Sequence, residues 1–234
     1  MYLKSESFYN FRNLFYTILR KNKNDLSRTE LEVMDILCFK IYTTLLKKYT
    51  ASSRKYHTMQ HIQDCLTEFK SARRLFKNPN EAEMALWFHD SVYNKVFNTS
   101  FNEIRSFELF SKLFKSTVKE FAKFKIKTFI CFTKETVDED KILVGLRKDC
   151  ALVRDIDRSI LGQVYLKFKR YRKGIREEYW FIPYFIFKKK EILFLKSLLE
   201  RDHIYETTFF RNKYEEKARK NIALFLKELG EEID

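Results

Sequence analysis

Met84-Ala85-Leu86-Trp87-Phe88-His89-Asp90 is an apolar run that ends in a histidine and a carboxylate. The run predicts a buried helix, and two polar groups at the end of a buried helix cost free energy unless something pairs with them. A bound divalent cation is one such partner. The stretch therefore indicates a metal site that is built on helices.

The chain contains few residues that break helices. Its 234 residues include 4 glycines and 2 prolines, whereas β-sandwiches and barrels need many turns rich in these residues. Apolar side chains recur at helical spacing, as in Phe8, Phe11 and Phe15. A chain of this length buries a full core as one domain, or at most two small ones. We expect an all-α fold in which residues 1–234 form a single domain.

Helix boundaries are predicted from caps and breakers. Ser27 and Glu30 form a capping-box pattern, and the third helix is expected to run from near His57 to about Phe76. Asn80 is expected to cap the helix that contains the His-Asp pair. Loops are expected at residues 94–101 and 135–140, and further helices at roughly 102–113, 117–134, 141–172, 184–200 and 212–229.

Cysteine spacing and hydropathy both favour a soluble cytoplasmic protein. The cysteines show no C-x-x-C spacing and lie in apolar contexts, so they are interpreted as buried thiols in a reducing compartment. The N-terminal MYLKSESFYNF lacks the apolar core of a signal peptide. No segment reaches the ~20 apolar residues that a membrane span needs. The four cysteines are Cys38, Cys65, Cys131 and Cys150.

The formal net charge of +14 has two interpretations. A basic surface binds nucleic acid or anionic membranes. Alternatively, the abundance of Phe, Tyr, Lys, Ile and Asn is typical of a coding sequence rich in A and T, and the basic residues are spread along the whole chain. The second interpretation is favoured, so nucleic acid is not the favoured partner. Positive charge near a pocket still favours a phosphate-bearing substrate.

Three of the 4 histidines lie close together in the sequence. His57 and His61 are four residues apart and share a face on a continuous helix. His89 and Asp90 are adjacent on the next helix, where they project about 100° apart, so both reach one ion only near a crossing with another helix. A lone histidine on an apolar face is usually a core residue, and it is the clustering that favours a site.

A fourth ligand is expected from the later segment CALVRDIDRSILG. Asp155 and Asp157 lie about 200° apart around a helix, so both are not expected to face one ion. Asp157 is favoured as the ligand, with Asp155 orienting a neighbour. A set of two histidines and two aspartates suits Mn, Fe, Co or Ni, and it also accepts Mg or Zn.

Seven segments with polar residues at their centres follow one another along the chain. The segments are RKYHTMQHI (54–62), ALWFHDSVYN (85–94), NEIRS (102–106), DIDRSILG (155–162), IREEY (175–179), IY followed by Thr207 (204–207) and EEKARKN (215–221). In this order the chain resembles the predicted metal-dependent HD-superfamily phosphohydrolases, in their small stand-alone branch, over residues 8–229.

This resemblance implies an all-α HD-domain helical bundle with a divalent metal held by His61, His89, Asp90 and Asp157. It also implies hydrolysis of a phosphate ester or anhydride, on a nucleotide or another small phosphorylated compound. A metal suits this reaction because it lowers the pKa of bound water and polarises the phosphoryl oxygen. Only His203 lies outside the histidine cluster, so a single tightly bound ion is expected.

The resemblance also implies roles for other polar residues. Glu103, next to Asn102 in the expected catalytic pair, is predicted to act as general base or to orient the water. Arg54, Tyr56 and His57 are predicted to hold phosphate or the leaving group.

Arg176 and Glu178 have two interpretations of equal weight. They are either part of the functional site or a structural ion pair that braces the last helices.

Three positions depart from the family pattern. Asn94 occupies a position where an aspartate is expected, Glu135 one where histidine is common, and Arg158 one where leucine is usual. These departures and the net charge motivate an alternative, in which the chain is a catalytically weak HD-scaffold protein that binds a nucleotide or nucleic acid.

The aromatic segment 180–187 contains more rings than one helical face needs. It is interpreted as core, with a self-association surface of a homo-oligomer as the alternative.

Overall fold

The computed structural model describes residues 5–19, 23–96, 99–115, 117–134 and 142–231. The described residues contain helices and no β-strand, which confirms the predicted all-α class. The α-helices in these ranges are α1 (Glu6–Ile18), α2 (Arg28–Tyr49), α3 (Met59–Ala72), α4 (Pro79–Phe88), α5 (Asn102–Phe114), α6 (Glu120–Phe132), α7 (Val144–Asp157), α8 (Tyr165–Glu178), α9 (Tyr184–Leu199) and α10 (Thr208–Glu228).

The chain divides into two compact units, each assembled from separate stretches of sequence. Unit 1 comprises Met1–Ala51 and Arg73–Cys150, and unit 2 comprises Ser52–Ala72 and Ala151–Asp234. Thus α3 belongs to unit 2, although α2 and α4 on either side of it belong to unit 1. The predicted single domain over residues 1–234 stays a prediction.

In unit 1, α4 packs against α1, α5 and α6. The apolar run from Met84 to Phe88 is fully buried, at 0% exposure for each residue, as the sequence predicted. The ring of Trp87 meets Phe11 of α1 with centroids 5.1 Å apart, and the ring of Phe88 meets Phe110 of α5 at 5.2 Å. Both contacts are edge-on, an arrangement that adds about 0.5–1.5 kcal/mol beyond the burial itself.

In unit 2, α10 packs on the 3-10 segment Arg158–Gly162 that follows α7, and on α8 and α9. Gly162 permits this approach, because a Cβ at that position would lie 2.5 Å from the Cβ of Tyr214. The amide of Asn221 donates to the carbonyls of Leu161 and Gln163, at 2.8 Å each. These contacts hold the end of α7 in place against α10.

The His-Asp pair lies at the end of α4 and not within it. The helix ends at Phe88, His89 is its C-cap, and Asp90 follows in a turn. His89 keeps helical backbone angles and its N–H still bonds to the carbonyl of Ala85, and it is Asp90 that lies outside the helix. Asn78 occupies the N-cap position instead of Asn80, because Pro79 takes the first helical position, where its missing N–H is not needed.

Other boundaries also differ from the sequence-based expectation. The third helix begins at Met59, so His57 precedes it and does not share its face with His61. The expected helix at 141–172 is divided between α7 and α8, with the 3-10 segment between them. Residues 94–96 are irregular, as expected for a loop. The acidic stretch 135–140 lies outside the described residues.

The aromatic segment 180–187 lies mostly on the surface, which corrects its interpretation as core. Trp180 is 76% exposed and Phe185 73%, whereas Phe187 is buried at 8%. Its place as a self-association surface stays a prediction. None of the described helices combines the length and the apolar character that crossing a bilayer requires. Among the described residues, which include all four cysteines, no disulfide is formed.

Candidate metal centre

One buried face of α3 carries several potential metal ligands. His61, Cys65 and Glu68 are spaced by four and three residues, which places them on the same side of the helix. Their exposures are 4%, 1% and 8%. Buried polar groups need partners, because desolvation without them is costly. This face of α3 is therefore a candidate site.

Asp157, the last residue of α7, meets His61 of α3. Nε2 of His61 lies 3.1 Å from Oδ1 of Asp157. Sγ of Cys65 lies 3.8 Å from Nδ1 and 3.7 Å from Nε2 of the same imidazole. The ligand atoms of these three residues all lie within 4.8 Å of one another. A nitrogen, a sulfur and a carboxylate oxygen at these separations can hold a metal ion.

A cavity of about 140 Å³ adjoins this group in unit 2. Its wall includes Tyr56, His61, Cys65, Asp157, Gln163 and Lys167. Nζ of Lys167 forms an ion pair with Oδ2 of Asp64, which also lines the cavity, at 3.0 Å. The cavity therefore combines carboxylates with one positive charge.

Glu68 forms a further polar wall of the same cavity. Its carboxylate accepts hydrogen bonds from the Tyr214 hydroxyl and from Nζ of Lys213, both at 2.6 Å. Burial and the bond to Glu68 raise the pKa of Tyr214, so the hydroxyl keeps its proton and remains the donor. Two residues of α10 thus hold the Glu68 carboxylate on α3.

Asp155 forms its hydrogen bonds with the segment before α10 and anchors that segment. Its carboxylate accepts hydrogen bonds from the backbone N–H groups of Glu206 and Thr207, at 2.8 Å each, and from the Thr207 hydroxyl at 2.6 Å. Burial raises the pKa of Asp155 to about 6, and the hydrogen bonds oppose the rise. Asp155 and Asp157 therefore have separate surroundings, as their angular separation on a helix requires.

Glu178, the last residue of α8, holds the segment that leads into α3. Its Oε1 accepts hydrogen bonds from the consecutive N–H groups of Lys55, Tyr56 and His57, at 2.7, 2.9 and 3.1 Å. Its Oε2 lies 2.6 Å from Nδ1 of His57. Burial tends to raise the pKa of Glu178, but the bonds from His57 and the backbone outweigh it and lower that pKa to about 2.

Arg176 has partners of its own, so the ion pair considered for it with Glu178 is not formed. Its Nη1 donates to the carbonyls of Tyr179 and Ile182, at 2.8 and 3.0 Å. The guanidinium lies over the ring of Phe187, 5.0 Å from its centroid. Arg176 therefore braces the connection between α8 and α9.

Arg54 and Tyr56, expected at the substrate, occupy different surroundings. Nη1 of the buried Arg54 donates to the carbonyl of His57 at 3.0 Å. This bond stabilises the backbone of the short segment 54–57. The ring of Tyr56 lies 4.7 Å from the ring of His61 and 4.4 Å from that of Tyr171, between centroids. Tyr56 reaches the cavity wall, whereas Arg54 supports the backbone behind it.

His89 and Asp90 form a second imidazole–carboxylate pair, in unit 1. Nδ1 of His89 lies 2.9 Å from the carbonyl of Leu86, and a carbonyl can only accept, so this nitrogen carries a proton and donates it, and Nε2 is the nitrogen that faces Asp90. Nε2 lies 3.1 Å from Oδ2 of Asp90. A proton or a cation between the imidazole nitrogen and the carboxylate oxygen accounts for an approach this close.

Asn102, expected in the catalytic pair, ties a loop to the start of α5. Its Oδ1 accepts from the N–H of Asn94 at 2.9 Å, and its Nδ2 donates to the carbonyl of Asn94 at 3.0 Å. One turn later, the hydroxyl of Ser106 accepts from the N–H of Val92 at 3.0 Å and donates to its carbonyl at 3.3 Å. The motif 102–106 therefore fixes the chain just after the His-Asp pair.

Glu103 is half-buried in the first turn of α5, where the helix dipole favours a negative charge. Its charge, together with burial as the larger cause, raises the pKa of Cys131 on α6. Its role as a general base stays a prediction.

Arg158, one of the departures from the family pattern, is a buried structural residue. Its Nη1 donates to the carbonyl of Ile204 at 3.2 Å and to Glu206 at 3.4 Å. Arg154 binds the same carboxylate oxygen of Glu206 at 2.7 Å. Arg158, at the position where leucine was expected, thus binds the segment before α10. Asn94 forms the bonds with Asn102 described above, and Glu135 lies outside the described residues.

Sequence reasoning did not single out Cys65 or Glu68 as site residues. The available signal was their spacing from His61, which places them one and two turns further along the same helix face. An apolar setting suggested a buried thiol for Cys65, and only the tertiary structure brings Asp157 to this face. His61 and Asp157 belong to unit 2, and His89 and Asp90 to unit 1.

Comparison of the chain with protein-family models, with curated proteins and with solved structures finds no match.

Proposed function

We propose that this chain is a metal-dependent phosphohydrolase with an HD-domain fold, which hydrolyses a phosphate ester or anhydride of a nucleotide or another small phosphorylated compound. The observation that supports this most is the 3.1 Å approach of His61 Nε2 to Asp157 Oδ1 at the wall of a polar cavity. The ordered series of seven sequence segments is the second support.

The side chains present suit a divalent cation. The ligands of the proposed centre are His61 and Asp157. The series of sequence segments adds His89 and Asp90 to the proposed ligands. Each imidazole directs a nitrogen to within 3.1 Å of a carboxylate oxygen, and both atoms of each pair are ligand types that a divalent cation accepts. For His89, the bond from Nδ1 to a backbone carbonyl makes Nε2 the ligand atom.

A bound divalent ion lowers the pKa of a coordinated water and polarises a phosphoryl oxygen. Lys167, on the cavity wall, provides positive charge for a phosphate oxygen. Glu178 fixes the orientation of the His57 ring, as carboxylate partners of functional histidines do. In this proposal Glu103 acts as general base or orients the attacking water.

The first experiment measures metal content and phosphate release on untagged protein. Mn²⁺-loaded protein is screened against nucleotides, inorganic pyrophosphate and simple phosphomonoesters. We expect about one ion per chain and turnover of one of these classes, with both lost in Asp157→Asn and His89→Ala. Asp64→Asn, which removes a carboxylate from the same cavity but no proposed ligand, should keep its ion.

The outcome also separates the alternative function. A bound ion without turnover in any class would favour a catalytically weak protein on the same scaffold, which binds a nucleotide or nucleic acid. Binding of nucleic acid to this chain of net charge +14 should then weaken steeply with salt. Absence of a bound ion under all loading conditions would refute the metal-dependent hydrolase.

A further inference from the structure

We propose that the thiolate of Cys65 is a ligand of the metal centre formed by His61 and Asp157. The centre then has nitrogen, oxygen and sulfur donors and selects a thiophilic ion, Zn²⁺ or Co²⁺, over Mn²⁺ and Mg²⁺. The inference rests on the proposed function only in that both require a bound ion.

The position of Cys65 follows from the helix. It lies four residues after His61, so its side chain projects from the next turn of the same face. It is 1% exposed and lines the same cavity as His61 and Asp157. A thiol among apolar side chains would act as a small hydrophobic residue. Cys65 lies instead beside the imidazole of His61 and the carboxylate of Asp157, two further potential metal ligands.

The distance from Sγ to Nε2 matches the separation of two ligands on a shared ion. A metal bound to sulfur at about 2.3 Å and to nitrogen at about 2.0–2.1 Å, at a tetrahedral angle, places the two ligand atoms about 3.6 Å apart. Sγ of Cys65 lies 3.7 Å from Nε2 of His61. Sγ is almost as close to Nδ1, at 3.8 Å, which places it beside the ring and not on the lone-pair side of Nε2. Coordination therefore requires the thiol to rotate about its Cα–Cβ bond.

The donor types determine the preference among ions. Thiolate is a soft ligand that suits Zn²⁺ and Co²⁺, whereas Mn²⁺ and Mg²⁺ prefer carboxylate and water oxygens. Replacing the sulfur by a hydroxyl should therefore weaken Zn²⁺ binding far more than Mn²⁺ binding. Loss of an outer partner costs about 10–100-fold in affinity, and loss of a direct ligand should cost Zn²⁺ at least that much.

The test uses the untagged 234-residue chain, stripped with a chelator and reloaded with Co²⁺ or Zn²⁺. The variant is Cys65→Ser, and the matched control is Cys150→Ser, which changes another buried cysteine. We expect wild-type and Cys150→Ser protein loaded with Co²⁺ to show a thiolate-to-cobalt charge-transfer band in the near ultraviolet. Cys65→Ser should lose this band and keep the visible cobalt bands.

X-ray absorption of the Zn²⁺-loaded wild type provides a measurement that needs no variant. A sulfur neighbour at about 2.3 Å supports the inference, and a shell of nitrogen and oxygen alone at about 2.0–2.2 Å overturns it. A charge-transfer band that persists in Cys65→Ser also overturns it. If the ion binds without sulfur, the phosphohydrolase proposal stands and only this inference fails. If neither ion binds, both fail.

Discussion

Glu178 and His57 are joined by a hydrogen bond of 2.6 Å between Oε2 and Nδ1, while the other oxygen of Glu178 holds three consecutive backbone N–H groups of residues 55–57. Glu178 is the last residue of α8, where the helix dipole disfavours a negative charge. The hydrogen-bond donors of residues 55–57, more than a hundred positions earlier in the chain, compensate for this unfavourable effect of the dipole. The contact orients His57 and sets the entry into α3, which carries His61.

Replacing Glu178 by glutamine should destabilise the protein by about 2 kcal/mol, the scale of hydrogen bonds to a buried charged group. The amide keeps one acceptor oxygen but presents an N–H group where Nδ1 of His57 now donates. Urea unfolding of the variant measures the loss. Glu177→Gln, an exposed neighbour in the same helix, is the control and should leave the midpoint unchanged. Equal effects at the two positions would contradict a specific role for Glu178.

The same carboxylate should make stability depend on pH in acid. Its pKa is lowered from the ordinary 4.5 to about 2, so the folded state binds its proton less readily than the unfolded state. The stabilisation is therefore fully present above pH 4.5 and is lost as the pH falls from there towards 2. The free energy of unfolding, measured across this window, should fall more steeply in the wild type than in Glu178→Gln. Parallel curves would show that another group is responsible.

Gly162 and Gly145 should respond in opposite ways to alanine. A Cβ at Gly162 would lie 2.5 Å from Cβ of Tyr214, whereas nothing lies within 4 Å of a Cβ at Gly145. We expect Gly162→Ala to cost about 1–3 kcal/mol through overpacking of α10 on the turn after α7. Gly145→Ala, in the first turn of α7, should be neutral or stabilise by up to about 1 kcal/mol. Thermal unfolding of the pair provides the comparison.

Asn102→Ala should lower the free energy of unfolding, so that any loss of activity is accompanied by a loss of stability. The substitution removes both hydrogen bonds to the partly buried backbone of Asn94, and buried backbone groups that lose a partner cost about 1–3 kcal/mol, so we expect a loss of about 1 kcal/mol. Glu108→Gln, exposed on the same helix, serves as the control. A variant of unchanged stability that loses phosphate release would instead indicate a direct catalytic role for Asn102.

Metal removal should lower the melting temperature of the wild type and leave the melting temperature of the Asp157→Asn variant unchanged. An ion at about 100 times its Kd stabilises a folded protein by about 2.7 kcal/mol, or about 5–10 °C for a chain of this size. Chelation should remove this increment, and added Zn²⁺ or Mn²⁺ should restore it. Asp64→Asn should respond as the wild type does. A wild type that is indifferent to chelator would argue against the proposed centre.

The helical class and several helix positions were predictable from local patterns. The rarity of glycine and proline excluded most turn-rich folds, and the run 84–88 is buried in a helix because it offers no polar face. Periodicity reports which side of a helix avoids water, but it does not identify what covers that side. This is why the segment 180–187 was misinterpreted as core, since aromatic content does not determine burial.

For the candidate site, the sequence alone determined the residue types and their spacing along each helix: His61 with Cys65 on one face, and Asp155 and Asp157 on different faces. The tertiary structure decided the partners, placing Asp157 beside His61, Glu178 on the segment 55–57 and Asn102 on Asn94. The physical reason is that helical geometry is set by hydrogen bonds between residues four apart. The partner of a buried polar side chain is set instead by packing of segments that are distant in the chain, and local spacing carries no information about that packing.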